Sequence, residues 1–474
     1  MKVGPAFVRT VRHFFPDFNT WLDKIPDPRC QERITYGPRF LLWYGLLLFV
    51  GKLGSRRELD FKYREAGTCV LDNLNRLAQT DQQTIPCNDT LDDYLAKVHA
   101  AEAPVHPIAN VRTKTIHRLI RMRVLDEARV QGRLVVGVDG SGYLVFRWEH
   151  CRHCLTQKCG DRILYCHKVL EAKILGPAQT VLSLASEFID NQDLADSPAN
   201  TGEQQRKQDC ELKASRRLLQ SVRAAFPQLL LCLSLDALYA CGAGFQLGKD
   251  FRVSLVIVFK EGSIPTLWQE FQTLLTLCPA NRLEERENGW RHEYRWVDEL
   301  HYVDSDRRAW KLKAIQYQGE GPKGEKSHWA WLVSYDLVVS KATVARIVWG
   351  AGRPRWWEEN QGFNVQKNSG LNLEHAYSEK EHFGVYYLLL QIAHVLLQLL
   401  EKGSLLRELA RSAGKRSAVA LLGSLKNIAD CLVESLRNWV WPDEAFGAAG
   451  KIQIRLDSSY TAALRVFPQN TGCS

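Results

Sequence analysis

The sequence predicts an α/β fold, in which helices flank a mixed sheet that carries a β-rich insertion and is preceded by a helical N-terminal domain. Residues 134–138 and 229–235 are apolar at almost every position, which is typical of strands buried on both faces. An amphipathic pattern over residues 203–226 predicts a long helix between these two strands. Strand-like alternation of large apolar side chains returns at residues 329–335 and predicts a β-rich segment there.

The chain of 474 residues is longer than one ordinary hydrophobic core. We expect residues 1–110 to form the helical N-terminal region and residues 111–278 the first part of the α/β core. Residues 279–351 would form the β-rich insertion, residues 352–400 the last part of the core, and residues 401–474 a helical C-terminal region with a tail.

The composition predicts a globular protein in a reducing compartment. Hydrophobic residues make up 45% and charged residues 24% of the chain, and the net charge is +9. That charge suits a polyanionic partner, although a merely basic enzyme is an alternative. The N-terminus lacks a signal-peptide pattern, and the apolar segments 40–50 and 385–400 are predicted to be core helices and not membrane spans. With no export signal, the 13 cysteines indicate reduced thiols and a cytoplasmic location.

Two segments carry the pattern of a nucleic-acid surface. Residues 111–130 predict a helix whose cations would face outward and contact phosphates, and a solvated charged face is the alternative. In the insertion, tryptophans are interleaved with arginines and lysines, which suits stacking on distorted DNA. A sheet packed by its own tryptophans explains that second pattern equally well. The candidate DNA-binding residues of the helix are Arg112, Lys114, Arg118, Arg121 and Arg123.

Three acidic residues stand out by their context. Asp139 and Asp236 each follow a buried strand, where a carboxylate either caps a turn or binds a divalent cation. Glu359 lies on a predicted helix over residues 355–367, on the face that carries Arg355 and Lys367. Glu358, about 100° away on that helix, and Glu374 are the competitors for this third position.

The order strand-Asp, strand-Asp, β insertion, helix-Glu resembles the DDE transposases of bacterial insertion sequences. Residues 138–142 (VDGSG) resemble the first-acid strand of the family and residues 235–240 (LDALYA) the second. The glutamate helix of the family is similar to residues 355–360 (RWWEEN), together with GFN at 362–364 and KN at 367–368. A segment that often follows this helix matches NLEH at 372–375. Gly352 stands where some members carry Tyr, and Gln366 where they carry Lys.

The resemblance implies an RNase H-like core and a two-metal phosphodiester transfer. Asp139, Asp236 and Glu359 would hold Mg²⁺ or Mn²⁺, and Arg355 and Lys367 would support them. The enzyme would cut transposon ends and join the 3′-hydroxyl to target DNA, working as a homodimer on paired ends, with the N-terminal helices bound to double-stranded DNA. The alternatives are an RNase H-like nuclease without strand transfer and a domesticated, non-catalytic DNA-binding protein.

A cysteine cluster raises a separate hypothesis. Cys151, Cys154, Cys159 and Cys166 lie within one short segment, with histidines beside them, and four thiolates could close a tetrahedral zinc site. Free thiols in a hairpin are the alternative. Other acids of the core, including Glu187, Asp209 and Glu211, are interpreted either as residues that support the metal ligands or as structural residues.

Overall fold

The structure, a computed structural model, describes residues 3–101, 105–191, 209–416, 418–447 and 454–456. Among these residues, eleven strands form one mixed sheet that is flanked by helices. The α/β fold class predicted from the sequence is therefore confirmed.

The strands and helices occur in the following order. The strands are β1 (Arg129–Val130), β2 (Arg133–Phe146), β3 (Leu155–Cys159), β4 (Arg162–Leu175), β5 (Val181–Ile189), β6 (Leu231–Leu235), β7 (Ser254–Val258), β8 (Arg282–Glu287), β9 (Trp290–Val303), β10 (Ala309–Glu320) and β11 (Lys326–Ser334). The helices are α1 (Val3–Phe14), α2 (Phe18–Leu22), α3 (Pro38–Val50), α4 (Arg56–Tyr63), α5 (Val70–Ala78), α6 (Asn88–Ala100), α7 (Pro107–Arg121), α8 (Glu211–Ala225), α9 (Gly242–Phe251), α10 (Pro265–Leu277), α11 (Val344–Ile347), α12 (Arg355–Trp357), α13 (Asn364–Asn368), α14 (Phe383–Lys402), α15 (Ser404–Ser412), α16 (Ala418–Leu422), α17 (Leu425–Asn438) and α18 (Asp443–Phe446).

The sheet has the order β3-β4-β2-β6-β7-β11-β10-β9-β8, with β5 paired to β4 and β1 to β2. Strands β2, β6 and β7 run parallel to one another, whereas β4 is antiparallel to β2 and β5 is antiparallel to β4. Strands β2, β6 and β7 therefore present their carboxyl ends at the same edge of the sheet.

The β-rich insertion continues the main sheet. Strand β11 pairs antiparallel with β7, so that Trp331 lies opposite Val258. Tyr294, Trp296 and Trp331 are buried in a second hydrophobic core between the insertion and α11. These rings pack inside the protein, which agrees with the alternative of a sheet packed by its own aromatic residues.

The N-terminal helices pack on the C-terminal helices. Helix α3 is buried from Phe40 to Val50 and contacts α14. Helix α14 is long and apolar enough to cross a membrane by length and composition, but 89% of its most apolar window is buried inside the protein. Both helices are core helices, as predicted from the sequence.

Several predicted boundaries differ from the structure. Strand β2 does not end at Asp139 but continues to Phe146, because the residues after Asp139 stay paired with β4 across a bulge. The basic helix ends at Arg121, and the chain then enters β1. The predicted helix start at 203–208 lies outside the described residues. In the C-terminal region, Leu456 makes an isolated bridge to Gly403.

Candidate functional site

Asp139 lies within β2, beside the parallel strand β6. Its side chain is 22% exposed, accepts a 3.0 Å hydrogen bond from the Gly140 N–H and lies 3.4 Å from an Arg355 nitrogen. Arg355 comes from α12, which follows the insertion, so that this ion pair connects two distant parts of the chain. Arg355 was expected to support the three acids, and among them it contacts Asp139.

Asp236 is the first residue after β6. Gly137 of β2 pairs with Ser234 of β6, so Asp139 and Asp236, each two residues further along parallel strands, lie at the same level of the sheet. One carboxylate oxygen of Asp236 accepts a 2.9 Å hydrogen bond from the Leu238 N–H and caps a short 3₁₀ turn. Asp236 therefore caps a turn and at the same time places its carboxylate beside Asp139.

Glu359 approaches the two aspartates from a helix. It lies in a π-helical turn, Glu358–Phe363, that directly follows α12, and it is exposed. Burial is the main cause that raises the pKa of Asp139, and the carboxylates of Asp236 and Glu359 raise it further. The charge of Arg355 and the hydrogen bond from the Gly140 N–H act to lower this pKa. The structure thus brings the three predicted acids into one electrostatic cluster.

Glu211, interpreted from the sequence as a supporting or a structural residue, is a fourth acid of this cluster. It is the first residue of α8, and its carboxyl group occupies the space where a side chain of residue 140 would lie. Burial raises the pKa of Glu211, and the charges of Asp139 and Asp236 raise it further, against Lys168. Gly140, directly after a candidate ligand, leaves the space that this carboxyl group fills.

Glu358 occupies a different environment from its neighbour Glu359. Its side chain is fully buried against Gly137, and both carboxyl oxygens lack a hydrogen-bond partner among the described residues. Burial raises the pKa of Glu358 well above its usual range, Asp139 adds to this, and Lys173 opposes it. Glu358 therefore points into the protein, whereas its neighbour Glu359 is exposed.

Lys367 and its neighbours lie away from the acidic cluster. Lys367 pairs with the competitor Glu374 at 2.7 Å. Gln366 is buried and donates hydrogen bonds to Gln391 at 2.8 Å and to His394 at 2.9 Å. Of the two predicted supporting residues, only Arg355 contacts one of the three acids among the described contacts.

The donor set fits a hard divalent cation in chemistry, but its groups are spread apart. Carboxylate oxygens are the ligands that Mg²⁺ prefers, and a cation would relieve their mutual repulsion. Among the described residues, however, the acids do not form a group of three or more potential ligands whose atoms lie within 4.8 Å of one another. A His/Cys group does. In this structure the acids therefore do not converge as closely as the His/Cys group does.

The predicted DNA-binding helix differs from the expectation. Arg112 is buried and does not face outward, because it donates hydrogen bonds to Ser183, at 3.1 Å, and to Ser186, both on β5. The buried guanidinium of Arg112 has an opposite charge nearby, because Glu171 lies beside it. Arg118 bonds the Phe14 carbonyl and Lys114 is half-buried. Arg121 is exposed, and so is Arg123, which follows the helix and pairs with Asp126.

The cysteine cluster forms with a different set of residues from the predicted one. His150, Cys151, Cys154 and His167 bring their potential ligand atoms together. Cys159 is exposed and Cys166 is buried in the main core, and neither belongs to the group. The prediction of four cysteine ligands is therefore wrong, because the hairpin geometry selects the two histidines that flank the Cys-x-x-Cys turn in space.

The remaining acids of the core are paired. Arg217 of α8 lies 2.6 Å from both Glu187 and Asp209, which agrees with their interpretation as structural residues.

Comparison of the chain with protein-family models and with curated proteins finds no match.

Proposed function

We propose that this chain is a DDE-type DNA transposase with an RNase H-like core, which cleaves transposon ends and joins the 3′-hydroxyl to target DNA. The observation that carries the proposal is the convergence of Asp139, Asp236 and Glu359 from three separated segments. The strand arrangement β5-β4-β2-β6-β7, with its antiparallel and parallel parts, supports an RNase H-like core.

The residues of the site have distinct roles in this proposal. Asp139, Asp236 and Glu359 would supply oxygen ligands, and Arg355 would orient Asp139 through their ion pair. Bound Mg²⁺ would stabilise the attacking and leaving oxygens of phosphodiester transfer. Glu359 is exposed and Asp139 is partly exposed, so a phosphodiester of DNA has access to this edge of the sheet. Dimer formation on paired ends is part of the proposal and follows from the family resemblance.

A strand-transfer assay tests the proposal. The DNA that flanks the gene supplies candidate inverted repeats, which are offered as pre-cleaved ends together with target DNA and Mg²⁺. We expect joined products from the wild-type protein and a loss of at least about 100-fold in Asp139→Asn, Asp236→Asn and Glu359→Gln, because a metal ligand should matter no less than its outer-shell partners. Glu261→Gln changes an exposed turn residue after β7 and serves as the matched control.

The failures of this assay are informative. Metal-dependent hydrolysis without joined product would replace the transposase by an RNase H-like nuclease. Binding to the ends without Mg²⁺ and without any cleavage would indicate a non-catalytic DNA-binding protein.

A further inference from the structure

The His/Cys group lies where the β2–β3 connection meets β4. His150 and Cys151 follow β2, Cys154 directly precedes β3, and His167 lies on β4. Cys154 and His167 are buried, and His150 and Cys151 are partly buried. The group differs from the acidic cluster in its potential ligand atoms, because it offers sulfur and imidazole nitrogen instead of carboxylate oxygen.

Four of the six distances between ligand atoms in the group are close to those of a tetrahedral metal site. Tetrahedral bonds of about 2.3 Å to sulfur and about 2.0–2.1 Å to nitrogen place S···S at about 3.8 Å, S···N at about 3.5–3.6 Å and N···N at about 3.3–3.4 Å. The two thiol sulfurs are 3.8 Å apart. His167 Nε2 lies 3.7 Å from the sulfur of Cys151, 3.4 Å from that of Cys154 and 3.3 Å from His150 Nδ1.

Neither a disulfide nor a single hydrogen bond accounts for this geometry. A disulfide requires a sulfur separation of about 2.05 Å, and both cysteines are free thiols. A hydrogen bond would explain one of the contacts, but not the convergence of four potential ligand atoms within 4.8 Å of one another.

The surroundings hold the ligands in the orientation that a metal needs. The second nitrogen of His150 lies 2.6 Å from the Glu379 carbonyl oxygen, a hydrogen bond typical of metal-binding histidines that leaves Nδ1 free of a proton. Phe146 stacks on His150 with ring centroids 4.3 Å apart, and Phe383 packs 4.6 Å from the His167 ring. The Cys151 N–H also lies 3.4 Å from the Cys154 sulfur.

We propose that His150, Cys151, Cys154 and His167 bind one Zn²⁺ in a closed structural site. Two thiolates and two imidazoles fill the tetrahedral shell of zinc and leave no open position for substrate. Through the bond of His150 to Glu379, the ion connects the β2–β4 hairpin to the segment that leads into α14. The site does not depend on the proposed transposase activity.

Metal analysis of the full-length protein tests this site. After purification without added zinc, we expect about one zinc per chain, and Cys154→Ser should lose nearly all of it. Cys159→Ser is the matched control, because it removes an exposed cysteine of the same hairpin and should keep the zinc. Zinc lost from Cys159→Ser but retained by Cys154→Ser would overturn the ligand set.

A second measurement avoids dependence on a variant that fails to fold. The wild-type protein, stripped of metal and reconstituted with Co²⁺, should show the sulfur-to-cobalt charge-transfer band and the strong visible bands of tetrahedral coordination. Its unfolding temperature should also fall when the metal is removed, because binding stabilises the folded state. Wild-type protein with less than about 0.2 zinc per chain and no tetrahedral cobalt spectrum would refute the proposal.

Discussion

Glu358 and Glu359 show how strongly one position along a helix changes the chemistry of a carboxyl group. Successive residues of a helix point in different directions, so that Glu358 faces the sheet while Glu359 faces outward. We predict that Glu359→Gln abolishes strand transfer, whereas Glu358→Gln keeps it within about tenfold of the wild type. The raised pKa of Glu358 favours its neutral form, which glutamine copies in shape and charge.

The measurement is the strand-transfer rate of both variants at equal concentration and Mg²⁺, with circular dichroism to show that each is folded. An active Glu359→Gln beside an inactive Glu358→Gln would reverse the assignment of the third acid.

The sequence identified residues whose context is local and missed those that depend on distant partners. Asp139 and Asp236 were predictable because each follows an apolar run of residues, and Glu359 because the motif and the helical phase agree. The burial of Arg112 was not predictable, since its neighbours Ser183 and Ser186 belong to another element. The same holds for His150, which joins the cysteine cluster only because β2 and β4 pair.

At the level of elements, buried strands were predicted better than their ends. Strand β6 and helix α3 were predicted from apolar runs, but β2 extends past Asp139 because pairing with β4 outweighs the two glycines that follow Asp139. The helical segment from α11 to α13 contains two π-helical turns, Val348–Gly352 and Glu358–Phe363. Apolar periodicity cannot predict such turns, because they depend on how the helix packs on the sheet.

Asp92 links the N-terminal helix α6 to the start of α14. Its buried carboxylate lies 2.7 Å from His382 and accepts a 3.1 Å hydrogen bond from Tyr386. Burial acts to raise the pKa of Asp92, but the His382 bond, the Arg56 charge and the Tyr386 hydroxyl together lower it to about 2. The folded state therefore favours the ionised form, and this stabilisation is complete above the usual value of 3.8 and is lost as the pH falls towards 2.

We predict that Asp92→Asn lowers the free energy of unfolding by about 1–2 kcal/mol at neutral pH, after allowance for solvent screening. The difference from the wild type should shrink as the pH falls below about 4, because protonated Asp92 resembles asparagine. Thermal unfolding over a pH series measures this. Asp93→Asn, at the exposed neighbouring position, should show no such trend, and a difference that grows in acid would contradict the assignment.

At the scale of the whole molecule, the N-terminal helices share one core with the C-terminal helices. Every residue of α14 from 385 to 400 is buried. Its partners include α3, where Gly45 lies between Leu91 and Leu389. The sequence predicted that α14 is a core helix but could not identify its partners, since a helix that is apolar on all sides has no preferred face.

We therefore predict that the N-terminal region cannot be removed as an independent DNA-binding module. A chain that begins at residue 105 would expose the apolar surface of α14 that α3 covers, and it would also lose the bonds from Asn73 to the carbonyls of Leu436 and Trp439. We expect this fragment to aggregate on size-exclusion chromatography, while the full-length protein elutes as a defined species. Coexpression with residues 1–101 as a separate chain should restore solubility, because the shared core can form between the two pieces. A soluble 105–474 fragment that unfolds cooperatively without its partner would show instead that the two regions are separate domains.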